Sequence, residues 1–142
     1  MMITYMGTNL DYTLIVDSSY LISLSHEKDA LYKKAGTIAA NLSSETTIVL
    51  PAEIFSETIN AIWRKVSKPL ALEIAQSILS SNAYTFLETT GEIRSSALEK
   101  FKRQPNSVSF TDCLVMAFAD ELKTKYILGF DETFTKNGYT LP

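Results

Sequence analysis

Four short runs of β-branched and apolar residues, each followed by a stretch with helical spacing, restrict what this chain can fold into more than any other feature. The runs are Thr13-Leu14-Ile15-Val16-Asp17, Thr46-Thr47-Ile48-Val49-Leu50, Tyr84-Thr85-Phe86-Leu87 and Tyr126-Ile127-Leu128-Gly129-Phe130, with Tyr139-Thr140-Leu141 as a shorter fifth. Between them the spacing predicts helices. One covers Ser18 to Ser25. A second, capped by Asp29, runs to about Leu42 with Leu31, Ala35, Ile38, Ala39 and Leu42 on one face. A third opens at Pro51, whose missing N–H suits a first helical turn, and buries Ile54, Thr58, Ala61, Ile62 and Val66. Ser67-Lys68-Pro69 breaks it and opens a fourth, with Leu70, Ile74, Ile78 and Leu79 expected inward. A fifth follows Gly91 and ends before Pro105-Asn106. The segment from Phe110 to Lys125 is apolar nearly all round, so it is expected to be buried on most sides. Strands alternating with helices imply βαβ units and a parallel sheet with helices on both faces. Ligands of such sheets bind beyond the carboxyl ends of the strands.

Composition narrows the chemistry. At 142 residues the chain is expected to be a single domain, 1–142, with residues 1–12 as an N-terminal extension. Thirteen basic residues against sixteen acidic ones give −3, so no overall cationic footprint for nucleic acid exists, although a local patch would suffice. One cysteine, Cys113, excludes a disulfide framework and a Cys-based zinc site. One histidine, His26, excludes a multi-histidine metal site. Met1 to Met6 lack the basic and apolar regions of a signal peptide, and no apolar run approaches the ~18 residues of a membrane span. A cytoplasmic protein is the expectation. What remains plentiful for chemistry is carboxylate.

Four acids fall where a parallel sheet would place a ligand. Asp17 ends the first strand, Glu57 lies on the helix after the second, Asp112 opens the apolar helix, and Asp131 follows the fourth strand. Each also has a purely structural explanation. Asp17-Ser18-Ser19 suits an ordinary helix cap, and Ser109-Phe110-Thr111-Asp112 a capping box. Asp131-Glu132-Thr133 suits a cap or an Asx-turn, and Glu57 belongs to a polar stripe Glu53–Glu57–Asn60–Arg64 of the kind that faces solvent. Jointly the structural explanations weaken, because a parallel sheet brings these ends to one edge. Gathered carboxylates repel one another and hold their protons unless a cation neutralises them. All-oxygen ligands favour a hard ion, Mg²⁺ or Mn²⁺. Such a site suits phosphodiester hydrolysis, which needs no side-chain nucleophile.

At these residues the sequence resembles a PIN-domain nuclease of the VapC-type toxin branch. The resemblance spans about Leu14 to the C-terminus. It rests on four ordered segments: Leu14 to Ile22 around Asp17, Glu57 to Arg64, Ser109 to Ala117 around Asp112, and Ile127 to Phe134 around Asp131, followed by Gly138. It implies a three-layer α/β/α sandwich with a central, mainly parallel sheet of four to five strands. It implies an Mg²⁺- or Mn²⁺-dependent ribonuclease whose metal and catalytic residues are Asp17, Glu57, Asp112 and Asp131. It also implies an RNA substrate, a small antitoxin partner and a homodimer. Where the family commonly carries Thr or Ser two residues before the last acid, this chain has Gly129, so a supporting hydroxyl is expected to be missing. Ser18 and Thr111 are supporting hydroxyls or simple caps. Arg64 either meets a phosphate or pairs with Asn60 and Glu57. Lys100, Lys102 and Arg103 either touch an RNA backbone or are solvated; His26 is expected at the surface, Trp63 in the core or an interface, and Cys113 buried and inert.

Three other readings compete. A PIN-fold nucleic-acid-binding or regulatory module keeps the fold without catalysis. A phosphoacceptor receiver domain needs an acid after the middle strand, where Leu50-Pro51-Ala52 stands, and is rejected. A haloacid-dehalogenase-type phosphatase needs an acid at position 19, which is Ser. For a partner peptide, the first two helices and the pair around Ser67-Lys68-Pro69 are expected to flank an apolar groove.

Overall fold

The structure, a computed structural model, describes residues 12–142; the expected extension lies almost wholly outside the described residues. The order is β1 (Thr13–Val16), α1 (Ser18–Ser25), α2 (Tyr32–Asn41), β2 (Thr47–Pro51), α3 (Ala52–Lys65), α4 (Lys68–Ser80), β3 (Tyr84–Leu87), α5 (Gly91–Arg103), α6 (Phe110–Glu121), β4 (Tyr126–Leu128) and α7 (Glu132–Lys136). The four strands form one sheet in the order β3-β2-β1-β4, and every pairing is parallel. The expected fifth strand shrinks to a single parallel bridge between Tyr126 and Thr140.

β1 is central, and Leu14, Ile15 and Val16 are all fully buried. On the edge strand β3 Thr85 and Phe86 stay exposed, but successive strand residues point to opposite faces, so the central β1 is covered on both sides. That is why the strands read as continuous apolar runs rather than alternating ones. The helices fall into two groups that pack among themselves, α1 to α4 in one and α5 with α6 in the other. Seven consecutive residues of α6, Cys113 to Ala119, are buried, as its all-round apolar sequence requires.

Three boundaries differ from expectation. α6 stops at Glu121, not Lys125. Lys123 turns left-handed at φ 58°, and the N–H groups of Lys123 and Thr124 return to Asp120 and Ala119. This is a Schellman ending with lysine where glycine is usual. It frees Thr124, whose hydroxyl donates to the Thr13 carbonyl and accepts from the Tyr126 N–H, guiding the chain into β4. Pro51 closes β2, paired with Leu87, and caps α3 from outside rather than opening it. Asp29 does not cap α2. Its Oδ1 accepts from Ser23 Oγ and the Leu31 N–H in an Asx-type turn, and the helix starts behind Leu31 with no side-chain cap. On α3, Ile54, Thr58 and Ile62 face inward as the spacing predicts, while Val66, beyond the helix end, is exposed.

Candidate metal centre

The parallel sheet ends where the acids begin. The Asp17 N–H continues the ladder by donating to the Leu128 carbonyl at 2.9 Å, so the side chain leaves from between β1 and the end of β4. Asp17 does cap α1: its Oδ2 accepts from the Ser19 N–H at 3.2 Å and from Ser19 Oγ at 2.7 Å. Capping explains the geometry but not the residue type. A neutral Asn or Ser caps as well, whereas Asp17 is only 4% exposed and its carboxyl is pushed up to about 6. Burial is the main cause, outweighing the Ser19 hydrogen bonds that favour the charged form; the negative charges of Asp112 and Glu57 add to it.

Asp112 completes the capping box. Its Oδ2 accepts from the Ser109 N–H while Ser109 Oγ accepts from its own N–H, both at 3.0 Å. Its carboxyl is also raised, first by burial and then by Asp131, against the Ser109 hydrogen bonds. Asp131 caps α7 through the Thr133 N–H at 2.8 Å. Glu57 sits exposed on α3 and accepts from Ser18 Oγ. Electrostatics therefore links Glu57 to Asp17, Asp17 to Asp112, and Asp112 to Asp131. As the side chains lie, no group of three or more His, Cys, Asp or Glu among the described residues closes up on one point.

The donor set nevertheless fits a hard divalent ion. Every candidate ligand is a carboxylate oxygen, and Asp17 is a buried carboxyl whose charged form nothing cationic among the described residues compensates. Within the described residues, Oδ1 of both Asp17 and Asp112 accepts no hydrogen bond, so each acid has one oxygen tied and one available.

The family model for the PIN domain matches residues 14–138. The chain belongs to the PIN-domain family. Among solved structures, this PIN domain is similar to VapC20 of Mycobacterium tuberculosis, described as a Sarcin-Ricin loop cleaving toxin. The TM-score is 0.81 at 20% identity, covering 89% of this chain and 96% of that one. It is also similar to VapBC2 of Rickettsia felis bound to a promoter DNA fragment (TM-score 0.65, 12% identity, 92% and 97% covered). VapBC-1 of nontypeable Haemophilus influenzae gives 0.65 at 11% identity, with 92% and 96% covered. At these identities the likeness is one of fold. Among curated protein sequences, none matches.

The PIN domain's other predicted residues separate clearly. Ser18 is tied to Glu57 rather than to a helix end. Thr111 makes no side-chain hydrogen bond among the described residues, since Ser109 does the capping. Arg64 pairs with neither Asn60 nor Glu57; it lies 5.8 Å over the Trp63 ring, and Trp63, 47% exposed, is outside the core. Lys100 pairs with Asp120 and Lys102 with Glu99, which leaves Arg103 as the member of that basic cluster without an ion pair among the described residues. Cys113 is buried, and burial raises its thiol.

One residue at the site was missed from sequence. Ser19 Oγ donates to Asp17 Oδ2 and accepts from the Phe130 N–H at 2.9 Å, joining the first acid to the loop after β4. The signal available was its position at the second residue of a helix behind an Asp cap. Its second partner lies 111 residues away and leaves no local trace.

Proposed function

We propose that this PIN domain is an Mg²⁺- or Mn²⁺-dependent endoribonuclease, the cytoplasmic toxin of a type II toxin–antitoxin pair. The observation that carries the reading is the buried Asp17 carboxyl, held up to about 6 beside Asp112 and Glu57 at the carboxyl end of a parallel sheet. Asp17 and Asp112 would hold the ion, with Glu57 and Asp131 flanking it. A bound ion supplies charge neutralisation at the phosphate and activates a water for in-line attack. The protein's own groups do the rest. Burial fixes Asp17 and keeps bulk water from its carboxylate. The capping box fixes Asp112. Exposed Glu57 and Asp131 make the open side anionic, and the whole chain carries −3, so an RNA phosphate is repelled until a cation is in place. Arg64, free of acidic partners among the described residues, is a candidate on α3 for a phosphate contact.

The test is cleavage of a single-stranded RNA by the purified chain. Cleavage is expected with Mn²⁺ or Mg²⁺, leaving 3′-hydroxyl and 5′-phosphate ends, stopping in EDTA and returning with excess Mn²⁺. RNA binding without cleavage at any metal concentration would replace the reading with that of a binding module.

The similar VapBC structures and a groove in this chain support the antitoxin. The groove, about 690 Å³, lies between α1, the approach to α2, and α4, and is lined by Leu21, Leu24, Tyr32, Leu70, Ile74 and Ile78. Ile74→Glu would put a carboxylate among the apolar side chains that an inserted peptide would cover, although His26 and Lys28 also line the groove. It is expected to weaken the complex with a co-expressed antitoxin at least tenfold in a titration, or about 1.4 kcal/mol, with RNA cleavage unchanged. The opposite face of α4 exposes Leu72 and Leu79, 54% and 62%, a surface suited to the second copy of a homodimer. No helix among the described residues is long and apolar enough to cross a membrane.

A further inference from the structure

Two features beside the first acid belong together. The first is a shortage of space at Gly129. A Cβ built there would stand 2.8 Å from Asp17 Cβ, 2.9 Å from Phe134 Cε2 and 3.3 Å from Asp17 Oδ2. The nearest of these atoms is fixed to the backbone of β1's end, which is itself bonded to Leu128, so it cannot swing aside. No hydroxyl-bearing side chain fits at position 129 without moving Asp17. The second feature is the hydroxyl that does reach Asp17. Ser19 Oγ donates at 2.7 Å to Oδ2 and accepts from the Phe130 N–H at 2.9 Å, so the lone pair and the proton of the hydroxyl both have fixed partners. Phe130 is itself held, with Tyr20 6.1 Å and the Lys34 ammonium 5.4 Å from its ring.

We infer that Ser19 is the positioning residue of the site, its hydroxyl orienting Asp17 toward the ion in place of the side chain that Gly129 excludes. The hydroxyl acts through Asp17 and touches no reacting atom. Its polarity is set from the far side: because the Phe130 N–H donates to Oγ, the Ser19 proton is directed at Oδ2, which leaves Oδ1 for the ion. Alanine at 19 keeps the helix and the backbone cap from the Ser19 N–H but lets the carboxylate rotate. Threonine at 19 keeps the hydroxyl.

The inference rests on the metal reading above, and the experiment separates the two. Mn²⁺ affinity is measured by the loss of the free-ion electron paramagnetic resonance signal for wild type, Asp17→Asn, Ser19→Ala and Ser19→Thr, with thermal melts of each. Wild type is expected to bind, and Asp17→Asn not to. Ser19→Ala is expected to bind about 10–100-fold more weakly with a melting temperature close to wild type, as groups that orient metal ligands typically do. Ser19→Thr is expected to restore binding to within a few-fold. If wild type and Ser19→Ala bind equally while Asp17→Asn does not, the role of Ser19 is overturned and the metal site stands. If wild type shows no binding that Asp17→Asn removes, both fall. If Ser19→Thr binds as weakly as Ser19→Ala, the hydroxyl is not the cause and the inference is likewise overturned.

Discussion

Asp17→Asn is expected to lower RNA cleavage at least about a hundredfold and, in the same protein, to raise the stability of the metal-free fold. The loss follows from removing a ligand to an ion that supplies several kcal/mol of transition-state charge stabilisation. The gain follows from the raised carboxyl. A group near 3.8 in the open chain and about 6 in the folded one binds its proton more tightly when folded. Folding is therefore opposed wherever that proton is absent, by about 3 kcal/mol at neutral pH. The penalty fades as pH falls from about 6 toward 4, because there the folded chain takes up a proton that the unfolded chain does not. Metal-free wild type should thus grow relatively more stable on mild acidification, and the Asn variant should lack this slope. Since the amide must also be buried, a net gain of about 1–2 kcal/mol at pH 7 is expected, a few degrees in the melt. Denaturant titrations at pH 4, 5, 6 and 7 in EDTA measure it. An Asn variant less stable than wild type at pH 7 would mean that the buried carboxylate does not oppose folding.

Gly129→Ser is expected to damage the protein although it supplies the hydroxyl that the resemblance implies at this position. Substitutions toward a family's usual residue commonly stabilise by about 0.5–2 kcal/mol. Here the added Cβ meets Asp17 Cβ and Phe134 at under 3.0 Å, inside a packed corner. Overpacking of this kind typically costs about 1–3 kcal/mol. The shift falls on the first acid, so Mn²⁺ affinity should drop at least tenfold along with the melting temperature. A Gly129→Ser protein that melts and binds Mn²⁺ like wild type would show that the corner has slack, and that the two strand ends tolerate a side chain between them.

Much of this arrangement was legible because parallel strands buried on both faces leave uninterrupted apolar runs. Leu14-Ile15-Val16 could be placed, and with it the acid that follows. The same logic of strand ends and helix starts places Asp112 in the first turn of α6 and Asp131 at the cap of α7. The features that escaped depend on partners distant in sequence or on backbone geometry that composition does not fix. Lys123 adopts a left-handed turn that any sequence rule would reserve for Gly or Asn. Asp29 had a capping residue's chemistry but met Ser23 and Leu31 first. Trp63 reads as core or interface from its apolar neighbours, and the core alternative fails: it lies on the outer side of α3 between Arg64 and Lys68. Gly129 read as a missing hydroxyl, when its absent side chain is what lets the strand end approach Asp17.

The place of β1 between β2 and β4 has a consequence for synthesis. The strand made first is completed by the one made last, and the Thr124 hydroxyl reaches the Thr13 carbonyl across 111 residues. At translation rates of about 5–20 residues per second, the leading acid therefore waits on the order of ten seconds for its companions. Until that interval ends Asp17 stands without Asp112 and Asp131, so the anionic corner forms only when nearly the whole chain has been made, whereas α1 and α4 precede it in the order of synthesis.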